Sequence, residues 1–205
     1  MKKITVVFLV LLPILGACDS TFKWKEEIRL HDGRLIVVDR VDVLGGWHEP
    51  GQSASEKKRT IVFSDPDDKK KKYTHALTGS SNYLVLDFLN GVPWMVVLVG
   101  PFSHDTKCPV GSYETITWRE GRWASVSYSD LPKNISIVNM AYSYAPDQPE
   151  MRKSGKLLTA EQIDYINKKS SRLGAVSSSY QLVSVNGAGR PMDCDYYRKM
   201  AEGRK

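Results

Sequence analysis

Tyr83-Leu84-Val85-Leu86-Asp87-Phe88-Leu89-Asn90-Gly91-Val92-Pro93-Trp94-Met95-Val96-Val97-Leu98-Val99 decides the fold class of this chain. Two nearly continuous apolar runs flank Asn-Gly, the pair that most readily adopts the two positive φ values of a tight hairpin turn. A buried helical hairpin is the competing reading. The valine content and the Asn-Gly turn argue against it. The segment therefore reads as an antiparallel hairpin at the centre of a β-rich core.

Working outward, Trp24, Glu26, Ile28 and Leu30 alternate with charged neighbours, as one face of a strand does. His31-Asp32-Gly33 follows, and Asp-Gly supplies a positive-φ pair suited to a tight turn. From Arg34 to Leu44 the residues Leu35, Val37, Val41 and Val43 fall on one face, and Gly45-Gly46 ends the run. A polar loop is expected over Trp47–Lys57 and a short strand over Arg59–Phe63. Asp65-Pro66-Asp67-Asp68 reads as a turn, with Lys69, Lys70, Lys71 and Lys72 leading into Tyr73. Gly100–Ser112 is looser, with Cys108 and two prolines. Tyr113–Trp118, Glu120-Gly121 and Trp123–Tyr128 make a further hairpin. Ile135–Tyr144 is expected as one more strand, and Ala145–Leu158 as a connector.

One helix is expected late in the chain. Thr159-Ala160-Glu161-Gln162 fits a capping box, with Thr159 as N-cap and Gln162 three residues on. Ile163, Ile166 and Leu173 form its apolar stripe, Lys168, Lys169 and Arg172 suit its C-terminal end, and Gly174 terminates it. Tyr180–Val185 reads as a returning strand and Pro191–Lys205 as a short basic helix. The expected fold is mainly β: an antiparallel meander, sandwich or half-barrel with one late α-helix.

The N-terminus locates the chain. Lys2 and Lys3 precede an apolar run, and Leu15-Gly16-Ala17-Cys18 ends it. This is the anatomy of a secretory signal, and the cysteine after Gly-Ala resembles the lipobox of bacterial lipoproteins. A membrane-spanning helix would need roughly 20 apolar residues; Ile4–Ala17 offers 14, interrupted by Pro13. The resemblance implies a leader over 1–17, cleavage before Cys18, lipid on its thiol and insertion of that lipid in the bilayer. Asp19, directly after it, resembles the inner-membrane retention signal of enteric lipoproteins. Residues 18–22 then form a short tether, and 23–205 one domain close to the membrane on its periplasmic side.

Composition narrows the partners. The 205-residue chain carries a formal charge of +6, and the leader takes two lysines with it. The remainder is too mildly basic and too scattered in charge for nucleic acid. With Cys18 assigned to lipid, Cys108 and Cys194 are an even pair in an oxidising compartment, where a disulfide is expected. No Cys-X-X-Cys spacing suggests redox chemistry.

No catalytic signature stands out. His31, His48, His75 and His104 lack ligand spacing and read as solvated loop residues, so no metal or other cofactor is expected. Gly-X-Ser-X-Gly is absent, the adjacent carboxylates lack an opposing partner across a cleft, and Gly187-Ala188-Gly189 lacks a phosphate-binding context. Trp47, Trp94, Trp118 and Trp123 read as core and hairpin-pair residues. Trp47, in the polar loop, is the best candidate for an exposed recognition aromatic. Lys69–Lys72 can meet acidic glycans or headgroups, or be a charged hairpin tip.

Trp24-Lys25-Glu26-Glu27, Leu30-His31-Asp32-Gly33, Leu89-Asn90-Gly91-Val92-Pro93 and Gly121-Arg122-Trp123 before Leu131-Pro132 resemble phrases in a group of proteobacterial lipoproteins with no assigned activity. The resemblance spans roughly Trp24–Pro132 and transfers no site. The expected role is non-catalytic binding in the cell envelope, with an envelope protein as partner. The alternative is a hydrolase acting on envelope glycans or lipids.

Overall fold

Two open β-sheets share one hydrophobic core. The computed structural model describes residues 19–46, 54–104, 106–135, 138–141, 157–169, 194–195 and 199. The first sheet holds β1 (Ser20–Arg29), β2 (Leu35–Gly45), β3 (Ser55–Ser64) and β4 (Lys72–Thr78) as an antiparallel meander. A two-residue strand, β9 (Leu157–Leu158), adds to β1 in parallel, giving the order β4-β3-β2-β1-β9. The second sheet is the meander β5 (Asn82–Leu89), β6 (Val92–Leu98), β7 (Tyr113–Arg119) and β8 (Arg122–Val126). The mainly β, antiparallel expectation holds, and neither sheet closes into a barrel.

The central hairpin forms as its sequence dictates: Asn90 and Gly91 take φ values of 52° and 72°, and Glu120-Gly121 repeats this between β7 and β8. β5 and β6 are apolar on both faces because both are covered. Tyr83, Leu86, Phe88, Met95 and Val97 pack in the common core with Trp24, Ile28, Val38, Ile61 and Phe63 of the first sheet. Leu84, Val85 and Val96, on the reverse side, pack under Leu131, Ile135 and Val138.

The first hairpin departs from expectation, with consequences for the whole sheet. Of Asp32-Gly33, only Gly33 has positive φ, at 86°. Leu30 N–H donates to Arg34 O, enclosing a three-residue loop. A two-residue Asp32-Gly33 turn would align Ile28 with Val37; the longer loop aligns Ile28 with Ile36. A one-residue slip exchanges the two faces of a strand. Leu35 and Val37 are therefore half exposed, while Ile36, Val38, Arg40, Asp42 and Leu44 point into the core.

Other boundaries also move. β1 begins at Ser20, so the tether expected over 18–22 gives up Ser20–Phe22 to the strand. β3 begins at Ser55, inside the stretch read as a polar loop. Ile135 and Val138–Ala141 are not strand. Instead Asn139 caps the open edge of β5: its Oδ1 accepts from Leu86 N–H at 3.0 Å, and its Nδ2 donates to Leu86 O at 2.8 Å and Arg29 O at 2.9 Å. A side-chain amide thus replaces one rung of a missing strand and shields an edge that would otherwise template aggregation. A short 3-10 turn over Tyr128–Asp130 leads into this segment.

α1 (Ala160–Lys169) starts where the capping box places it. Gln162 N–H donates to Thr159 Oγ1 at 3.3 Å, and Thr159 N–H to Gln162 Oε1 at 3.0 Å. Ile163 and Ile166 are buried in the common core. Leu173, Gly174 and the segments expected as a strand over 180–185 and a helix over 191–205 lie, apart from 194–195 and 199, outside the described residues.

Candidate functional site

The register of the first sheet gives the molecule two distinct ends. Ser20 pairs with Leu44, Gly45 with Ser55, and Lys58 with Thr78, so the start of β1 and the last strand pairings sit at one end. Arg29–Leu35 and Ser64–Lys72 mark the other. Ten residues of β3 separate them, about 30 Å at about 3.3 Å per residue.

At the near end Asp19 is fastened to the sheet. Lys57 Nζ meets Asp19 Oδ1 at 2.7 Å, and both side chains stay about half exposed. A Cβ on Gly45 would stand 1.9 Å from Asp19 Oδ1, so a side chain there would force that carboxylate to shift. The loop from 99 to 112 lies at this end too, and Cys108 is joined to Cys194 there with a Cα separation of 5.0 Å. Both cysteines are buried with Val99.

The far end carries turns and charge. Lys69–Lys72 are exposed at the β3–β4 turn. Lys71 is committed: its Nζ lies 3.3 Å from Asp65 Oδ2 and 5.1 Å from the centroid of the Tyr73 ring. Its bond to the Tyr73 hydroxyl and the Asp65 carboxylate hold its pKa above the usual lysine value. Burial pushes Asp65 upward, but Asp67 N–H, Lys71 and Tyr73 prevail and hold it below the usual carboxylate range. Arg34 links the neighbouring turn, meeting Asp32 at 2.7 Å and Asp67 at 2.6 Å. Among the described residues Lys69, Lys70, Lys72, Arg119 and Arg122 make no ion pair.

An aromatic wall backs this basic end. Trp118 pairs with Trp123 across β7 and β8, their rings 5.1 Å apart and nearly perpendicular. Both reach Tyr73, at 5.4 and 6.0 Å. Trp123 Nε1 donates to Thr74 O at 2.7 Å, tying the edge of one sheet to the edge of the other. The reading of these tryptophans as core and cross-strand residues is correct. Both stay partly exposed, and Arg119 and Arg122 follow them at the tip. Stacking surface and unpaired cations in one place suit an acidic partner that offers planar or apolar groups between its charges.

Two of the histidines expected as solvated loop residues have bonded rings, and one of them, His75, lies on a strand. His31 lies in the β1–β2 turn and is exposed as a residue, but its side chain is only 20% exposed and is bonded: Asp87 Oδ2 accepts from its N–H at 2.9 Å and Asp87 Oδ1 meets Nδ1 at 2.8 Å. His75 lies on β4, its Nδ1 2.9 Å from the Tyr83 hydroxyl. The His31–Asp87 pair has the form that orients an imidazole as a base, but the described side-chain bonds of His31 all run to Asp87. His104 is exposed.

A second feature escaped sequence reading altogether. The face of β2 turned inward by the loop carries Arg40 and Asp42 into the core. Arg40 Nη1 meets Glu26 at 3.2 Å, with its guanidinium 5.1 Å from the Trp24 ring and 5.3 Å from the Tyr83 ring. Glu26 also accepts from Trp24 Nε1 at 2.8 Å and Ala141 N–H at 3.3 Å. Arg59 meets Asp42 at 3.2 Å, donates to Ser81 O at 3.2 Å and bonds Glu56. Burial pushes the Asp42 and Glu56 carboxyls upward against the pull of Arg59. The only available signal was Glu26 itself, a carboxylate on the apolar face of β1.

Cys18 and Trp47, with His48, lie outside the described residues, as does Gly187–Gly189. Among the described residues no group of three or more His, Cys, Asp or Glu is arranged to hold a metal ion, and no helix is long and apolar enough to cross a membrane. No family model matches the sequence, no curated protein matches it, and no solved structure matches the fold.

Proposed function

We propose that this chain is a lipid-anchored protein of the bacterial cell envelope that binds, without catalysis, an acidic face of an envelope protein. The observation that supports this most directly is the polarity of the first sheet. Asp19, next to the residue with lipobox context, is held at one end by Lys57 and Gly45. Lys69, Lys70 and Lys72 project at the other, beside Arg119, Arg122 and the Trp118–Trp123 pair. With β1 starting at Ser20, the anchor has almost no slack. An upright domain holds its basic end about 30 Å from its attachment point, where like-signed cations find a partner and not the headgroups of the same leaflet.

The test has two arms. Cys18→Ala should abolish lipid labelling of the full chain; retained label would remove the anchor from the reading. A photo-crosslinking residue at Lys70 in the full chain should give one discrete protein adduct in intact cells, lost when Lys69 and Lys72 are reversed to Glu. An adduct indifferent to that reversal, or none, would overturn the basic binding end.

A further inference from the structure

We propose that the loop from 99 to 112 is a membrane-contact surface, with Phe102 and Val110 seated in the headgroup–acyl boundary beside the lipid anchor. The inference rests on the anchored reading above and extends it with a second, protein-borne contact to the same bilayer.

The loop is at the right end. Ser80 N–H, just past β4, donates to Pro101 O at 3.0 Å, and His104 N–H donates to Oγ1 of Thr78, the last residue of β4, at 3.0 Å. A Cβ on Gly79 would stand 2.4 Å from the Phe102 carbonyl, so the loop docks directly on that backbone. Thr78 pairs with Lys58, three residues along β3 from Ser55, which pairs with Gly45 against Asp19.

Its two outermost apolar residues face solvent. Phe102 is 74% exposed and Val110 61%, the two most exposed large hydrophobic residues in the described structure. Phe102 also holds φ at 60°, a left-handed conformation that a side chain adopts only at a cost. Strain spent on presenting a phenyl ring to water needs a counterpart, and a lipid interface supplies one.

The backbone suits that environment. An unpaired peptide group is costly as water thins out, and three N–H groups at the base of the loop are paired within it. Gly111 N–H donates to Val99 O, Ser112 N–H to Pro109 O and Cys108 N–H to Thr106 Oγ1, at 2.7–3.1 Å. Pro101 and Pro109 have no N–H to satisfy. The Cys108–Cys194 bridge fixes the base of the loop. Lys58 and Lys107, both exposed and without an ion pair among the described residues, complement an anionic leaflet.

The test uses the lipidated full chain in vesicles of phosphatidylethanolamine and phosphatidylglycerol that carry doxyl-labelled lipid. A fluorescent amino acid is placed at Phe102, or at Lys69 as the far-end reference. The label at 102 should be quenched several-fold more than the label at 69. A chain that fails to float with the vesicles lacks the anchor and takes both readings down. A chain that floats with both labels equally unquenched keeps the anchor and overturns the loop contact. A Val110 label gives the same comparison at a residue free of backbone strain, so a misfolded 102 variant does not decide the outcome.

Discussion

Glu26 and Arg40 meet at 3.2 Å in the closed centre of the molecule, each no more than 2% exposed. Neither is replaceable alone. Removing one partner of a buried pair leaves an uncompensated charge and costs about 3–5 kcal/mol. Glu26→Ala should therefore destabilise the domain by about that much, because it also frees Trp24 Nε1 and Ala141 N–H. Glu26→Leu combined with Arg40→Met should cost less than the sum of the single changes. Urea unfolding of the two singles and the double decides it; strict additivity would refute the coupling.

Burial raises the Asp42 and Glu56 carboxyls in the folded state. The folded protein then holds these protons more tightly than the unfolded chain does. Their contribution to stability is fully present below the ordinary carboxylate values of 3.8 and 4.5 and is lost as pH rises through the folded values. Asp32 and Asp65 act oppositely. Their folded pKa values are lowered by hydrogen bonds that outweigh desolvation, so their contribution disappears only as pH falls below the ordinary range. Melting temperature should decline with rising pH above about 4, and Asp42→Asn should flatten that slope. An unchanged slope in the variant would show that Asp42 does not set it.

Asn139 substitutes for one rung along β5 with two hydrogen bonds to Leu86 and adds a third to Arg29 O of β1. Asn139→Ala should cost about 2–3 kcal/mol, at about 1 kcal/mol for each bond lost. Leu86 N–H should lose its protection from hydrogen exchange first. Protection that persists at Leu86 would mean another group covers the edge.

Phe102 couples stability to the proposed membrane contact. Phe102→Gly relieves a left-handed backbone without uncovering a core, since the ring is exposed. The folded domain should gain about 0.5–1 kcal/mol, the relief of strain less the added freedom of glycine in the unfolded chain. The same change should leave the vesicle-bound loop open to cleavage after Lys107, which the parent protects. A destabilised glycine variant would deny that φ is strained.

The Cys108–Cys194 bridge spans a sequence separation of 86 residues. A loop of that length is worth about 4–5 kcal/mol in the chain-entropy picture. Reduction, or replacement of both cysteines by Ala, should lower stability by up to that amount and loosen the loop that carries Phe102. Equal unfolding midpoints with and without reductant would exclude a structural role for the bridge.

The sequence by itself determined the elements whose cause is local. Asn90-Gly91 and Glu120-Gly121 turn where their glycines permit positive φ, Thr159 and Gln162 cap α1, and the face of β1 bearing Trp24 and Ile28 follows from alternation. The face of β2 did not. Both of its faces are apolar enough to be buried, since Leu35, Val37, Val41 and Val43 compete with Ile36, Val38 and Leu44. Periodicity is silent between them, and one added loop residue at His31-Asp32-Gly33 chose the second set. That choice carried Arg40 and Asp42 inside and built the buried charge network. The meeting of Trp118 and Trp123 with Tyr73, and of the 99–112 loop with the end that carries Asp19, was likewise decided only by tertiary structure. Those contacts join residues that are far apart along the chain, and sheet register and sheet-on-sheet packing alone bring them together.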